Sequence, residues 1–296
     1  MTTANKNLFY TLLFFAMIGW GGSWVNAKIL SDYINEFEMI FIRFGLTGLT
    51  MIPIIIYLKK SFYIDAKTLG LVTLTSIVFL AYMKYYFLGT KLGTASLGGA
   101  LVTSLAPIIT FVILVILRMK KLRRIDIFAL VLGAFGVLTM LNVWTLGSSE
   151  IFVIHNLYFI LASILWPILT ILSAQSKQIS PIVFTFYLYV ITVVIDSLFF
   201  MDFSSMAIES FDSRFWVNIL TLVLFASTFA NTVYFLGIEK LGTSEVSSFI
   251  FLVPFSAIGL SAIFLGEEIG MPMVIGAIMT LMAVKIINNI KIFNKK

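Results

Sequence analysis

Chemistry in this chain has to come from a few polar side chains set inside long apolar runs. Arg43, Lys84 and Asp196 are ionisable groups within such runs, where a charge costs ~3 kcal/mol at the bilayer centre and so asks for a function. Lys84 continues a stripe of Thr73, Ser76 and Leu80 at helical spacing, with Tyr85 and Tyr86 beside it. Hydroxyls, an amine and aromatic rings on one face read as the wall of a polar cavity, where the lysine would hold a carboxylate. Lys84 also lies close enough to the end of its run to snorkel to the interface instead. Arg43 can clamp a carboxylate through two parallel hydrogen bonds. The alternative, favoured on sequence grounds, is a structural pair with an outer acid such as Glu38 or with helix-end carbonyls. Asp196 reads as an interfacial carboxylate, as a partner of Lys84 or Arg43, or as the carrier of a coupling proton.

A second polar stripe runs through Thr221, Phe225, Thr228 and Thr232, with Asn231 adjoining. Hydroxyls in apolar helices often bond only their own backbone, so the stripe marks either a cavity lining or helix-to-helix glue. Trp20 and Trp24 share one helical face. Trp20 falls near mid-run, where anchoring at a membrane interface is a poor account, which leaves stacking on a ring or a cation, or packing against lipid or neighbouring helices. Pro107 and Pro254 are also expected mid-run, kinking their helices or freeing backbone carbonyls for a ligand. Substrate contacts are therefore expected from Trp20, Trp24, Lys84, Tyr85, Thr228, Asn231 and Thr232, with Arg43 and Asp196 as coupling or ion-pair residues. Glu245 reads as a first-turn acid favourable to the helix dipole.

Other chemistries lack their residues. There is no cysteine, which removes disulfides, thiolate metal sites and thiol nucleophiles, and a single histidine, His155, cannot build a metal cage. No zinc-protease or phosphate-loop pattern occurs, and Glu267-Glu268 is the only acidic doublet. Neither a resident cofactor nor a metal is expected, and an enzyme reading finds no acid/base set.

The elements that must position these residues are membrane helices. Of the 296 residues, 60% are hydrophobic and 11% charged, whereas a soluble domain carries roughly 25% charged residues. Ten apolar runs, at about 8–30, 37–58, 67–89, 94–117, 125–146, 153–175, 181–201, 214–238, 244–265 and 270–290, each approach the ~20 residues that cross a bilayer. With the N terminus inside, fifteen lysines and arginines face in, among them Lys59, Lys60, Arg123, Arg124, Lys177, Lys291, Lys295 and Lys296. Lys28, Lys91 and Arg214 face out, and acids such as Asp32, Glu150 and Asp212 gather on the outer side. That asymmetry puts both termini in the cytoplasm and makes the net charge of +6 a topology signal, not a nucleic-acid footprint.

The stretch from Tyr86, YFLGTKLGTASLGGALVTSLAPI, returns as YFLGIEKLGTSEVSSFIFLVPF from Tyr234, and Trp20 is matched by Trp166. A duplication of five spans is odd in number, so its second copy enters the membrane from the opposite side, as in carriers that alternate access around a midplane site. The expected architecture is an all-α, ten-span protein of two inverted five-helix repeats, residues 1–150 and 151–296.

On Trp20-Gly21, Arg43-Phe44, the two prolines and the run from Leu252 to Ile269, the chain resembles the EamA-type branch of the drug/metabolite transporter superfamily. In the first half Arg118-Met119-Lys120 stands where that pattern has Gly-Glu. The resemblance implies a basket of helices around one cavity, the fifth and tenth helices peripheral, and a secondary transporter exporting an amino acid or related amphiphilic solute from the inner or plasma membrane. Its partners would be the bilayer and a small-molecule substrate, with a homodimer left open. Export of lipophilic or quaternary cations is the alternative, and a non-transport membrane protein or membrane-embedded enzyme the second.

Overall fold

The computed structural model describes residues 3–145, 153–176, 178–204, 206–241, 246 and 248–288. Glu150, Lys177, Glu245, Lys291, Lys295 and Lys296, named above, lie outside the described residues. Within them every regular element is a helix: α1 (Thr3–Leu30), α2 (Glu36–Tyr57), α3 (Ala66–Leu92), α4 (Ala95–Ile116), α5 (Arg124–Met140), α6 (Ile154–Ser173) and α7 (Pro181–Phe199). They are followed by α8 (Ser213–Leu241), α9 (Leu252–Leu265) and α10 (Met271–Asn288). Among the described residues seven helices, α1 to α4 and α6 to α8, are long and apolar enough to cross a membrane, and shorter apolar helices accompany them. This is a multi-pass membrane protein.

Helix ends expose amides that hydrocarbon cannot solvate, and at several turns of the chain the sequence supplies a partner. Asn35 accepts from Phe37 and Glu38 while the Glu38 carboxylate accepts the Asn35 amide, closing a capping box on α2. Thr94 caps α4 through the Leu97 amide. Asp212 caps α8 through the amide of Phe215 and also accepts the Tyr33 hydroxyl at 3.0 Å. The Phe215 amide, ahead of the Tyr33 hydroxyl, holds the Asp212 carboxyl below its ordinary range. Pro181 opens α7, where its missing N–H costs nothing.

Two prolines differ in setting. Pro107 lies inside α4 as expected. Pro254 is not in mid-helix: a 3₁₀ turn, Ser248–Phe251, precedes α9, and Pro254 falls in that helix's first turn. A residue without an N–H fits there because first-turn amides lack an intrahelical partner anyway.

The core groups α1, α2, α3, α6, α7 and α8 around one centre, with α4 and α9 packed on α1. Helices α5 and α10 pack chiefly on each other and on α4, outside that group. Their close approach runs over glycines: a Cβ on Gly136 would lie 2.9 Å from the Gly276 carbonyl and from the Thr280 amide. Small residues at such crossings let backbones touch and gain dispersion contact where no hydrophobic drive exists.

Candidate functional site

At the centre, side chains from five helices close a ring. From α1, Trp20 donates its indole N–H to Oδ1 of Asn231 on α8 at 3.1 Å. Asn231 donates in turn to the Tyr189 hydroxyl on α7 at 2.6 Å, and Tyr189 packs on Phe44 of α2 with ring centres 4.7 Å apart. The Arg43 guanidinium lies 5.0 Å from the Phe44 ring and 6.0 Å from that of Tyr86 on α3. Tyr86 donates to the Ser23 carbonyl at 2.9 Å, and the Ser23 hydroxyl donates to the Trp20 carbonyl at 2.7 Å, which returns the circuit to α1. A rung crosses from Nε of Arg43 to the Ser227 hydroxyl at 3.3 Å. Two turns further along α2, Thr50 shares a hydrogen bond of 2.6 Å with Thr228.

Local winding makes this geometry. In α8 the stretch Thr221–Phe229 is π-helix between two α-helical segments, Ser213–Leu220 and Ala230–Leu241. Such wide turns are frequent at functional sites. They break the 3.6-residue period, so Thr221 is exposed while Ser227 and Thr228 are buried toward α2.

Of the expected contacts, the structure brings Trp20, Asn231 and Thr228 into or onto the ring. Thr232 lies beside them with its buried hydroxyl lacking a partner among the described residues. Trp24 is buried behind the ring, its centre 4.2 Å from that of Tyr86. Lys84 and Tyr85 lie apart from it. The Lys84 ammonium sits 5.5 Å from the Phe37 ring, in the first turn of α2, and Tyr85 stacks on Tyr158 of α6. Asp196 is fully buried in the last turn of α7, and neither carboxylate oxygen has a hydrogen-bond partner among the described residues. Trp166, the repeat mate of Trp20, packs on Tyr82 at 5.0 Å. Sequence reasoning passed over Thr50, Tyr189 and Ser227. A tyrosine inside an apolar run is indistinguishable from packing material until its hydroxyl finds a partner.

The two ends of the bundle differ. Where α3 meets α4, the Glu267 carboxylate accepts the amides of Ala95 and Ser96 at 2.8 and 2.9 Å. Gly266 makes this reach possible, ending α9 at φ 65°. Lys28 caps the end of α3 through the carbonyls of Lys91 and Gly93 at 2.8 and 2.7 Å. The opposite end carries a cavity of about 240 Å³, lined by Pro181, Ile182, Phe235 and Leu236 and flanked by the Lys60–Glu239 ion pair at 3.2 Å. It begins about one α-helical turn of α8 beyond Asn231. Glu267→Ala leaves two first-turn amides of α4 without their acceptor and is expected to loosen only the laced end. Because the chain contains no cysteine, Ser23→Cys offers a direct readout. Labelling by a membrane-impermeant maleimide from that side should rise severalfold in the Glu267→Ala background and stay unchanged from the other.

Among the described residues, no group of acids or histidines could hold a metal ion. What the geometry presents is a polar, aromatic centre inside a helical membrane bundle. The EamA-like transporter family model matches residues 7–142 and again 153–289, and the chain belongs to that family. It is similar to the uncharacterized transporter YyaM of Bacillus subtilis (strain 168), 24% identical over 290 residues, covering 95% of this chain and 93% of that one. It is also similar to the uncharacterized transporter YetK of the same organism, 24% identical and covering 91% and 85% respectively. A solved crystal structure shares the fold with a TM-score of 0.65 at 16% identity, over 95% of this chain and 96% of its own.

Proposed function

We propose that this protein is a secondary transporter that exports a small organic metabolite, an amino acid or related amphiphilic solute, across the cell membrane by alternating access. The observation that carries the reading is the ring itself. It draws α1, α2 and α3 from the first matched segment and α7 and α8 from the second, and it joins them by hydrogen bonds that a rocking motion can break one by one. The two family matches, of similar length and in tandem, support two five-helix halves, inverted because five is odd. The basic residues gathered at one end support cytoplasmic termini. In that orientation the cavity beside Lys60 and Glu239 faces the cytoplasm and the Glu267 clamp closes the outside. A cation exporter is the weaker reading, since the ring contains a guanidinium and no carboxylate.

Counterflow in proteoliposomes tests this without assuming a coupling ion. A mixture of labelled amino acids and related carboxylates is offered to vesicles loaded with the unlabelled compounds. Transient accumulation above protein-free liposomes is the expected result. Its absence for every solute class, cations and sugars included, would sink the transporter reading.

A further inference from the structure

Arg43 is buried, 9% exposed, and no acid among the described residues pairs with its charge. Of its five N–H donors, Nε reaches Ser227, while Nη1 is buried with no acceptor among the described residues. Among the described residues, no acid on the helices packed around it pairs with it. Glu38 closes the α2 capping box, and Glu36 stands beside it in the first turn. Glu239 pairs with Lys60 at the far end, and the Asp196 carboxylate on α7 is buried with no hydrogen-bond partner among the described residues, Arg43 included. Lys84, the other cation facing this group of helices, rests on Phe37. Two aromatic faces help the guanidinium. They do not replace a counter-charge, because a buried ion without one keeps most of its desolvation penalty.

We propose that Arg43 is the anchor for a carboxylate on the transported solute, and that the central site takes small organic carboxylates with an apolar or aromatic body while refusing amines and quaternary cations. The guanidinium fork matches two carboxylate oxygens, and an Nη1 without an acceptor is the donor that such a ligand would satisfy. The rings of Phe44, Tyr86, Tyr189 and Trp20 supply the surface for its body. This assignment rests on the transport reading, but its test does not depend on transport.

Purified full-length protein in detergent is titrated with three probes of one shape and three charges: phenylacetate, phenylacetamide and phenethylammonium. Binding is followed by tryptophan fluorescence and by thermal shift. Phenylacetate is expected to bind at least tenfold more tightly than either analogue. Arg43→Gln should erase that preference, and Arg43→Lys, which keeps the charge but not the fork, should retain part of it. Equal binding of the three probes by the unmodified chain, binding of none, or a preference that survives in Arg43→Gln would each overturn the proposal. The unmodified chain decides the question even where Arg43→Gln fails to fold. A carboxylate preference alongside failed counterflow would reject the transporter and keep the anchor. Counterflow without the preference would do the reverse.

Discussion

Efflux of a labelled carboxylate from proteoliposomes should run at least tenfold faster when unlabelled carboxylate is present outside than when it is absent. The reason lies in the charge of the centre. With its ligand bound, Arg43 passes through the change of access as half of a neutral pair. Without it, the carrier must return with a guanidinium surrounded by Phe44, Tyr86 and one serine hydroxyl. Breaking a buried ion pair costs ~3 kcal/mol or more, and each 1.36 kcal/mol added to a barrier slows the step about tenfold. The solute-free return should therefore limit net efflux and leave exchange untouched. Arg43→Gln removes the charge that makes the return slow. Any transport it retains should show no stimulation from the far side, with a raised KM from loss of the anchor. Equal rates of exchange and net efflux in the unmodified protein would refute this account.

Gly276→Leu is expected to prevent accumulation of folded protein, read as loss of the monodisperse peak in detergent chromatography. A Cβ at this position would collide with the Gly136 carbonyl oxygen and lie 2.7 Å from the Met140 amide. Both are backbone atoms, which no rotamer change can move aside. Overpacking a tight contact costs roughly 1–3 kcal/mol where side chains can yield, and here the two helices would have to separate along their crossing. Gly259 sits in a helix with nothing within 4 Å of the equivalent point. Gly259→Ala should accumulate normally and show the same melting temperature or a slightly higher one, since alanine favours helix. If the two variants behave alike, close backbone contact is not what holds α5 to α10.

The helical scaffold was legible because hydrocarbon imposes length and polarity on every crossing, and these can be counted along the chain. Trp20, Asn231 and Thr228 were legible for a related reason: polar groups in apolar runs need partners, and Trp20 is matched by Trp166 in the second half. Arg43 was legible as a residue that could bind a carboxylate. Its standing against a structural pair was not, because the choice depends on where Glu38 points, and Glu38 turns back to the Asn35 amide. Lys84 read either as a cavity residue or as a lysine snorkelling to the interface, and spacing along α3 cannot show that its ammonium rests on a ring of α2. The stripe from Thr221 to Thr232 assumed 3.6 residues per turn, and the π stretch divides it, leaving Thr221 exposed and bringing in Ser227. Pro254 was misplaced because a 3₁₀ turn and an α-helix look alike in an apolar sequence.

The wide winding of α8 gives that helix slack. Each π turn holds about one residue more than an α turn, and one residue corresponds to roughly 100° of rotation about an α-helix axis. Rewinding a single turn between Thr221 and Phe229 would swing everything beyond it like a key in a lock. Asn231 would be carried away from Trp20 and from Tyr189 in the same movement. The wall between the two ends of the bundle would then open by torsion, with no bend in the helix and no hinge in a loop.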